Sequence, residues 1–249
     1  MAKGTAVVAL ANPLSTPQFR RYSVVDGLPS TNVYAVAQDR DGAIWFGTKS
    51  GLARFDGVEF KVFRHAENDP GSLFNNGIAT LLIDRQGRLW AAGLNAGLNR
   101  YVPATDRFLH WGHDPADPAS VASDRVWAVV QTADGSLWVG SEGGLDRMRP
   151  DGRGFEHVVN AVLGAQPADF GTVAALYVDP QQRLWIGSNH GVFIREADGQ
   201  MRRVLSEDPK RTMDAWRIEG DGDEVRIAVA GGLMIVGKDG LARRFAESV

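Results

Sequence analysis

Short apolar runs alternate with polar turns along most of the chain. Val33-Tyr34-Ala35-Val36-Ala37 and Val126-Trp127-Ala128-Val129-Val130 are rich in β-branched and aromatic residues and have the length of a strand. Each is followed by a polar turn and then by a second apolar run that carries a tryptophan. No segment sustains helical periodicity between caps. The pattern therefore predicts many short strands joined by tight turns.

The pattern repeats. Asp39-Arg40-Asp41-Gly42-Ala43-Ile44-Trp45-Phe46-Gly47-Thr48 is followed by Gly51-Leu52-Ala53-Arg54-Phe55. Asp84-Arg85-Gln86-Gly87-Arg88-Leu89-Trp90 leads to Gly97-Leu98-Asn99-Arg100-Tyr101. Asp134-Gly135-Ser136-Leu137-Trp138-Val139-Gly140-Ser141 leads to Gly144-Leu145-Asp146-Arg147, and Asp179 to Ser188 leads to Gly191-Val192-Phe193-Ile194-Arg195. The tryptophans are 45, 48 and 47 residues apart, and aligning Gly232-Leu233 puts Arg226 at the tryptophan position of a fifth, degenerate copy. A period of 40 to 50 residues belongs to propeller blades or two-helix solenoids, and the strand-like runs select the blade. Each unit reads as four strands. The first unit has A over 33–38, B over 44–48, C over 52–55 and D over 60–63.

The expected architecture is all-β, a β-propeller of about five four-stranded blades over 18–249. The blades fall near 33–64, 78–111, 126–158, 173–204 and 214–245. Phe19-Arg20-Arg21-Tyr22 looks like Phe60-Lys61-Val62-Phe63, which adds an extra outer strand at 18–23 with no blade before it. Five blades and a spare strand read as part of a larger ring, with a closed five-bladed ring as the alternative. Residues 1–17 read as an N-terminal tail or the remnant of a secretory leader. Lys3 precedes the apolar run Ala6 to Ala11, and Ala9-Leu10-Ala11 has the form of a cleavage site.

These repeats resemble the two-component regulator propeller family. The resemblance is carried by Tyr22-Ser23-Val24-Val25-Asp26-Gly27-Leu28-Pro29 leading into Val33, and by the repeated Asp-x-x-Gly-x-Leu/Ile-Trp-x-Gly-Thr/Ser with Gly-Leu-x-Arg after it. Asn68-Asp69-Pro70-Gly71-Ser72-Leu73 and Ala116-Asp117-Pro118-Ala119-Ser120-Val121 look like the family's Asp-Pro-x-Ser-Leu linker. The resemblance implies seven-bladed rings and a periplasmic, signal-binding part of an inner-membrane receptor. A membrane helix and a histidine kinase or diguanylate cyclase output domain would follow. It makes the remaining blades and that output domain the expected partners, and a small molecule or oligosaccharide the expected signal.

Composition narrows the chemistry. Lys+Arg 27 against Asp+Glu 30 gives a net charge of −3, which argues against a nucleic-acid partner. The absence of cysteine excludes disulfides, thiolate metal sites and a cysteine nucleophile. Gly 29 and Trp 7 are high counts, and the repeat assigns many of them to turn and packing positions. The strand-B tryptophans are expected to wedge between blades, and Asp39, Asp84 and Asp179 to cap their turns. His110 and His113 have no second pair, so no metal and no cofactor is expected.

Strands alternate direction within a blade, so the D–A and B–C loops share one face. Those loops vary between units while the A–B turns stay nearly constant, and variable loops on a constant scaffold are how binding surfaces are built. The candidate ligand-binding residues are Lys49, Asn76, Asn95, Arg125, Glu142, Asn189 and His190. Trp127 joins them, as it matches Tyr34 on strand A near the central channel. No catalytic residue is assigned. The alternative functions are a propeller hydrolase or lyase, since the turn motif is similar to those of sialidases and streptogramin lyases, and a protein–protein scaffold.

Overall fold

The computed structural model describes residues 19–158, 170–206, 213–221, 224–237 and 241–247. The N-terminal segment 1–17 lies outside them. The first blade holds β1 (Val33–Gln38), β2 (Ile44–Thr48), β3 (Gly51–Phe55) and β4 (Phe60–Phe63). The second holds β5 (Ile78–Ile83), β6 (Leu89–Gly93), β7 (Leu98–Val102) and β8 (Arg107–Trp111). The third holds β9 (Val126–Gln131), β10 (Leu137–Ser141), β11 (Gly144–Met148) and β12 (Phe155–Val158). The fourth holds β13 (Val173–Val178), β14 (Leu184–Ser188), β15 (Gly191–Arg195) and β16 (Met201–Arg203). The fifth holds β18 (Ala215–Asp221), β19 (Glu224–Val229), β20 (Gly232–Val236) and β21 (Leu241–Glu247). Each is an antiparallel meander in chain order, so the fold is a β-propeller of five four-stranded blades. The last sheet gains a fifth strand, β17 (Leu205–Ser206), which pairs parallel to β21.

The repeat motif explains why the blades stack. Trp45, Trp90, Trp138 and Trp185 are each 1–2% exposed. Trp45, of the first blade, packs with Ile78, Leu89 and Phe108 of the second, and Trp138, of the third, with Val173, Leu184 and Ile186 of the fourth. Burying so large a ring is a main source of inter-blade cohesion. The glycine two residues on lets the backbones approach. A Cβ at Gly140 would lie 2.7 Å from Val173 Cγ1 and 2.9 Å from the Val173 carbonyl oxygen. At Gly47 it would lie 2.9 Å from Ile78 Cγ2. A side chain at Gly47 or Gly140 would press on the neighbouring blade, whereas the second blade accommodates the methyl group of Ala92 at the same position.

The aspartates do more than cap their turns. Asp84 Oδ1 accepts from the backbone N–H of Gln86 (3.0 Å) and Arg88 (2.8 Å), as expected, while Oδ2 accepts from the Trp90 indole Nε1 at 2.8 Å. Asp39 holds Trp45 and Asp179 holds Trp185 at the same 2.8 Å, and the Thr132 hydroxyl holds Trp138 at 3.1 Å. The same carboxyl thus locks both the turn and the rotamer of the buried tryptophan. Burial pushes the Asp84 carboxyl up, but the bonds from Trp90 and Arg88 outweigh it and leave it below the usual carboxylate range.

The two ends of the stack differ from its interior. On the first blade Val36 is 60% exposed, whereas Val129, Leu176 and Ile218 at the same position are buried. The extra outer strand expected at 18–23 is not formed over the described residues 19–23, which have no strand C beside them to pair with. The aromatic packing persists without the strand. The Tyr22 ring lies 5.0 Å from Phe55 and 5.5 Å from Phe60. Phe63 bears the same relation to Tyr101 (5.5 Å) and Phe108 (5.4 Å) at the next interface. Tyr22 therefore fills the seat of a strand-D aromatic. At the other end Arg226 replaces the tryptophan and faces Asp221 at 3.6 Å.

Candidate functional site

Strands β1, β5, β9, β13 and β18 line a central channel of about 400 Å³. All five carry the same irregularity. Val33 and Ala35 pair with successive residues of β2, so Tyr34 is an unpaired bulge residue. Ala79, Trp127, Ala174 and Trp216 are skipped in the same way on the other four strands. A bulge bends its strand and re-aims one side chain. All five bulge residues line the channel. Around it they read Tyr, Ala, Trp, Ala, Trp, so aromatic rings are separated by methyl groups. Tyr34 is 46% and Trp216 56% exposed. The bulges lie next to the B–C loops, so this collar stands at the end of the channel that carries the variable loops.

Those loops are anchored from below. In the third blade, Asp146 is fully buried and its Oδ2 accepts from the Ala122 backbone N–H at 2.9 Å. Its Oδ1 lies 2.6 Å from His157 Nδ1. In the second blade Asn99 does the same work, accepting from the Phe74 N–H at 2.9 Å. Burial raises the Asp146 carboxyl above its usual value, partly offset by the Ala122 and His157 contacts. The Asp-Pro-x-Ser linkers are built alike. The Ser72 hydroxyl accepts from Ala66 N–H and Ser120 from Asp114 N–H, while His65 Nδ1 and His113 Nδ1 lie against the carbonyls of Leu73 and Val121. Histidines 65, 113 and 157 are thus structural. Among the described residues no cluster of three or more His, Asp or Glu side chains could hold a metal ion.

The eight sequence candidates divide three ways. Trp127 lines the channel, and beside it the Arg125 guanidinium lies 5.8 Å from the ring centroid. Arg125 also pairs with Glu142 at 3.1 Å, so three candidates form one cluster. The Trp127 Nε1 is buried and has no hydrogen-bond acceptor among the described residues. Asn76 and Asn189 act as clasps. Asn76 Oδ1 accepts from His65 N–H at 2.8 Å and Asn189 Oδ1 from Thr172 N–H at 2.9 Å. Asn95 sits at a positive φ of 53° in its turn. Lys49 is exposed beside the first bulge, and the His190 carbonyl accepts from Arg203 at 2.8 Å. None of Lys49, Asn76, Asn95, Asn189 or His190 lines the channel. Tyr34 and Trp216 do line it, and sequence reasoning did not select them. Their signal was the shared register of Tyr34 and Trp127, which extends to Trp216 once the fifth blade is aligned.

The chain was compared with known proteins. A family model described as "Two component regulator propeller" matches residues 27–50, 120–143 and 169–190, which fall on the first, third and fourth blades. A 55-residue stretch, 22% of this chain, is 38% identical to "Histidine kinase P4" of Formosa agariphila, of which it covers 4%. The extracellular domain of the hybrid two component system BT3049 from B. thetaiotaomicron superposes with a TM-score of 0.58 at 20% identity, over 92% of this chain and 37% of that one. Virginiamycin B lyase from Staphylococcus aureus superposes at 0.63 and 11% identity, over 90% of this chain and 72% of that one. The chain therefore spans a small part of the curated relative and just over a third of the BT3049 extracellular domain. At such identities the structural likenesses establish the propeller fold alone. No helix among the described residues is long and apolar enough to cross a membrane. Three segments of the chain, on the first, third and fourth blades, thus match the repeat of the two component regulator propeller family.

Proposed function

We propose that this chain is the signal-binding part of an extracytoplasmic, periplasmic receptor, and that it binds rather than transforms its ligand. The ligand is a small molecule or an oligosaccharide taken at the loop-bearing mouth of the channel. The observation that carries this reading is the collar. Five successive bulges aim one side chain each into the channel, and three of the five are large aromatics left partly open to solvent. Rigid aromatic faces offer contact area with little loss of side-chain freedom, and apolar sites with a few placed polar groups are the usual form of ligand pockets. The Arg125–Glu142 pair supplies the polar groups beside Trp127. The matched family and the kinase relative support an output by a kinase or cyclase domain of the full-length protein.

Thermal unfolding with a panel of oligosaccharides and small metabolites tests the reading. A ligand at 100 times its Kd stabilises a protein by about 2.7 kcal/mol. The expected result is a saturable rise in Tm for at least one probe that is lost in Trp127→Ala and in Trp216→Ala. A rise that survives both substitutions contradicts the placement. Conversion of a bound probe into product would make the chain a hydrolase or lyase instead.

A further inference from the structure

A groove of about 590 Å³ lies between the second and third blades, on the face opposite the collar. Arg88, Arg100, Trp111, Arg147 and Arg149 line it. The repeat explains why one of these guanidiniums stands apart. In the first four blades the A–B turn presents carboxyl or hydroxyl groups near its tryptophan, and arginine can reach them from two positions. One is two residues before the tryptophan, the other is the last residue of Gly-Leu-x-Arg. In the first blade these are Ala43 and Arg54, and Arg54 lies 3.6 Å from Asp39. In the third they are Ser136 and Arg147, and Arg147 bonds the Ser136 hydroxyl at 2.7 Å and faces Asp134 at 3.6 Å. In the fourth they are Arg183 and Ile194, and Arg183 takes Asp179 at 2.6 Å.

The second blade has arginine at both positions. Arg88 Nε occupies Asp84 at 2.6 Å. Asp84 already accepts two backbone N–H groups and the Trp90 indole, so its four lone-pair sites are filled. Arg100 is left over. It lies 5.6 Å from the Trp90 ring centroid and 6.0 Å from that of Trp111, and its guanidinium has no hydrogen-bond or ion-pair partner among the described residues. Trp111 is itself held, since its Nε1 donates to the Gly152 carbonyl at 3.1 Å. Burial, and then the neighbouring Arg88 charge, push the Arg100 guanidinium below its usual value. It remains a cation all the same. Two acids line the facing wall: Asp134, engaged by the Thr132 hydroxyl at 2.6 Å and by Arg147, and Asp151, whose Oδ1 accepts from the Arg153 backbone N–H at 2.9 Å.

We propose that this groove is a second binding site, specific for an oxyanion group (carboxylate, sulfate or phosphate) that Arg100 receives in its two-pronged geometry. Arg147 and Arg149 add positive charge from the opposite wall, and Trp111 and Leu109 offer apolar surface to the body that carries the anion. A planar guanidinium suits such a group because it presents two parallel N–H donors.

Inorganic phosphate, sulfate and acetate are the probes, titrated into the full chain at constant ionic strength set with chloride. The arginine Nε–Hε resonances report each guanidinium directly. Phosphate is expected to move the Arg100 resonance saturably and to raise Tm, while the Arg54 resonance stays put. Arg100→Met should weaken the phosphate response at least tenfold and Arg54→Met should leave it unchanged. Arg100→Lys, which keeps the charge and loses the fork, should fall between them. An Arg100 resonance that moves no more with phosphate than with chloride overturns the proposal. So does an equal Tm response in wild type and Arg100→Met.

Discussion

Two tryptophan positions in the same repeat behave in opposite ways. On strand B the ring is sealed between blades, with its indole N–H bound to a carboxyl or hydroxyl group six residues earlier. On strand A the ring sits on a bulge, faces the channel and, in the case of Trp127, finds no acceptor for its N–H among the described residues. The strand-B position holds tryptophan in the first four blades, and the fifth has Arg226 there. The strand-A position alternates between aromatic residues and alanine. The stack requires the first position to be filled at every internal interface. It tolerates either residue size at the second, which leaves that position free to serve a ligand.

The sharpest way to break this contrast is to truncate each kind of ring. Trp138→Ala should destabilise the fold by about 3–5 kcal/mol, read from urea unfolding, because it opens a cavity between the third and fourth blades. Next in size is Gly140→Val. Forcing a side chain against Val173 should cost about 1–3 kcal/mol, or prevent folding.

Two of the buried carboxylates sharpen the contrast by pH. Asp84, on the packing side, has its carboxyl held below the usual value, so its contribution is present above the unfolded value and lost as pH falls through the folded one. Asp84→Asn should therefore flatten the acid limb of stability against pH. Asp146, under the loops, is raised, so the folded state takes up its proton first and gains stability as pH falls through that raised value. Asp146→Asn should remove that gain while keeping the loop anchored, since Asn99 anchors its own loop with an amide. Urea midpoints measured between pH 3 and 7 check both signs. The smallest effect belongs to Trp216→Ala. With the ring more than half exposed, its loss should change stability by no more than about 0.5 kcal/mol.

Much of the fold was legible because blade packing is a local, repeated demand. Nearly the same spacing of tryptophan, small residue, turn and Gly-Leu recurs where one blade meets the next, with Ala92 for the glycine in the second blade and Val192 for the leucine in the fourth. The interval of six between Asp39 and Trp45, Asp84 and Trp90, and Asp179 and Trp185 also carried the indole hydrogen bond, although the turn-capping role alone was read from it. The site was less legible. Asn76 and Asn189 look like free loop amides in the sequence, yet they hold N–H groups 11 and 17 residues away, a separation no local pattern encodes. The bulges are hidden for a similar reason. Val33-Tyr34-Ala35-Val36 reads as an ordinary strand, and only its pairing with β2 reveals that Tyr34 is the residue left over.

The most direct test of the collar uses the seven indole N–H resonances, one for each tryptophan. A ligand from the oligosaccharide and metabolite panel is titrated into the isotopically labelled chain. The Trp127 and Trp216 resonances are predicted to move together and saturate, while those of Trp45, Trp90, Trp138 and Trp185 stay fixed in their bonds. A saturable response confined to the strand-B tryptophans or to Trp111, with Trp127 and Trp216 unmoved, would contradict the assignment of the channel mouth as the binding site.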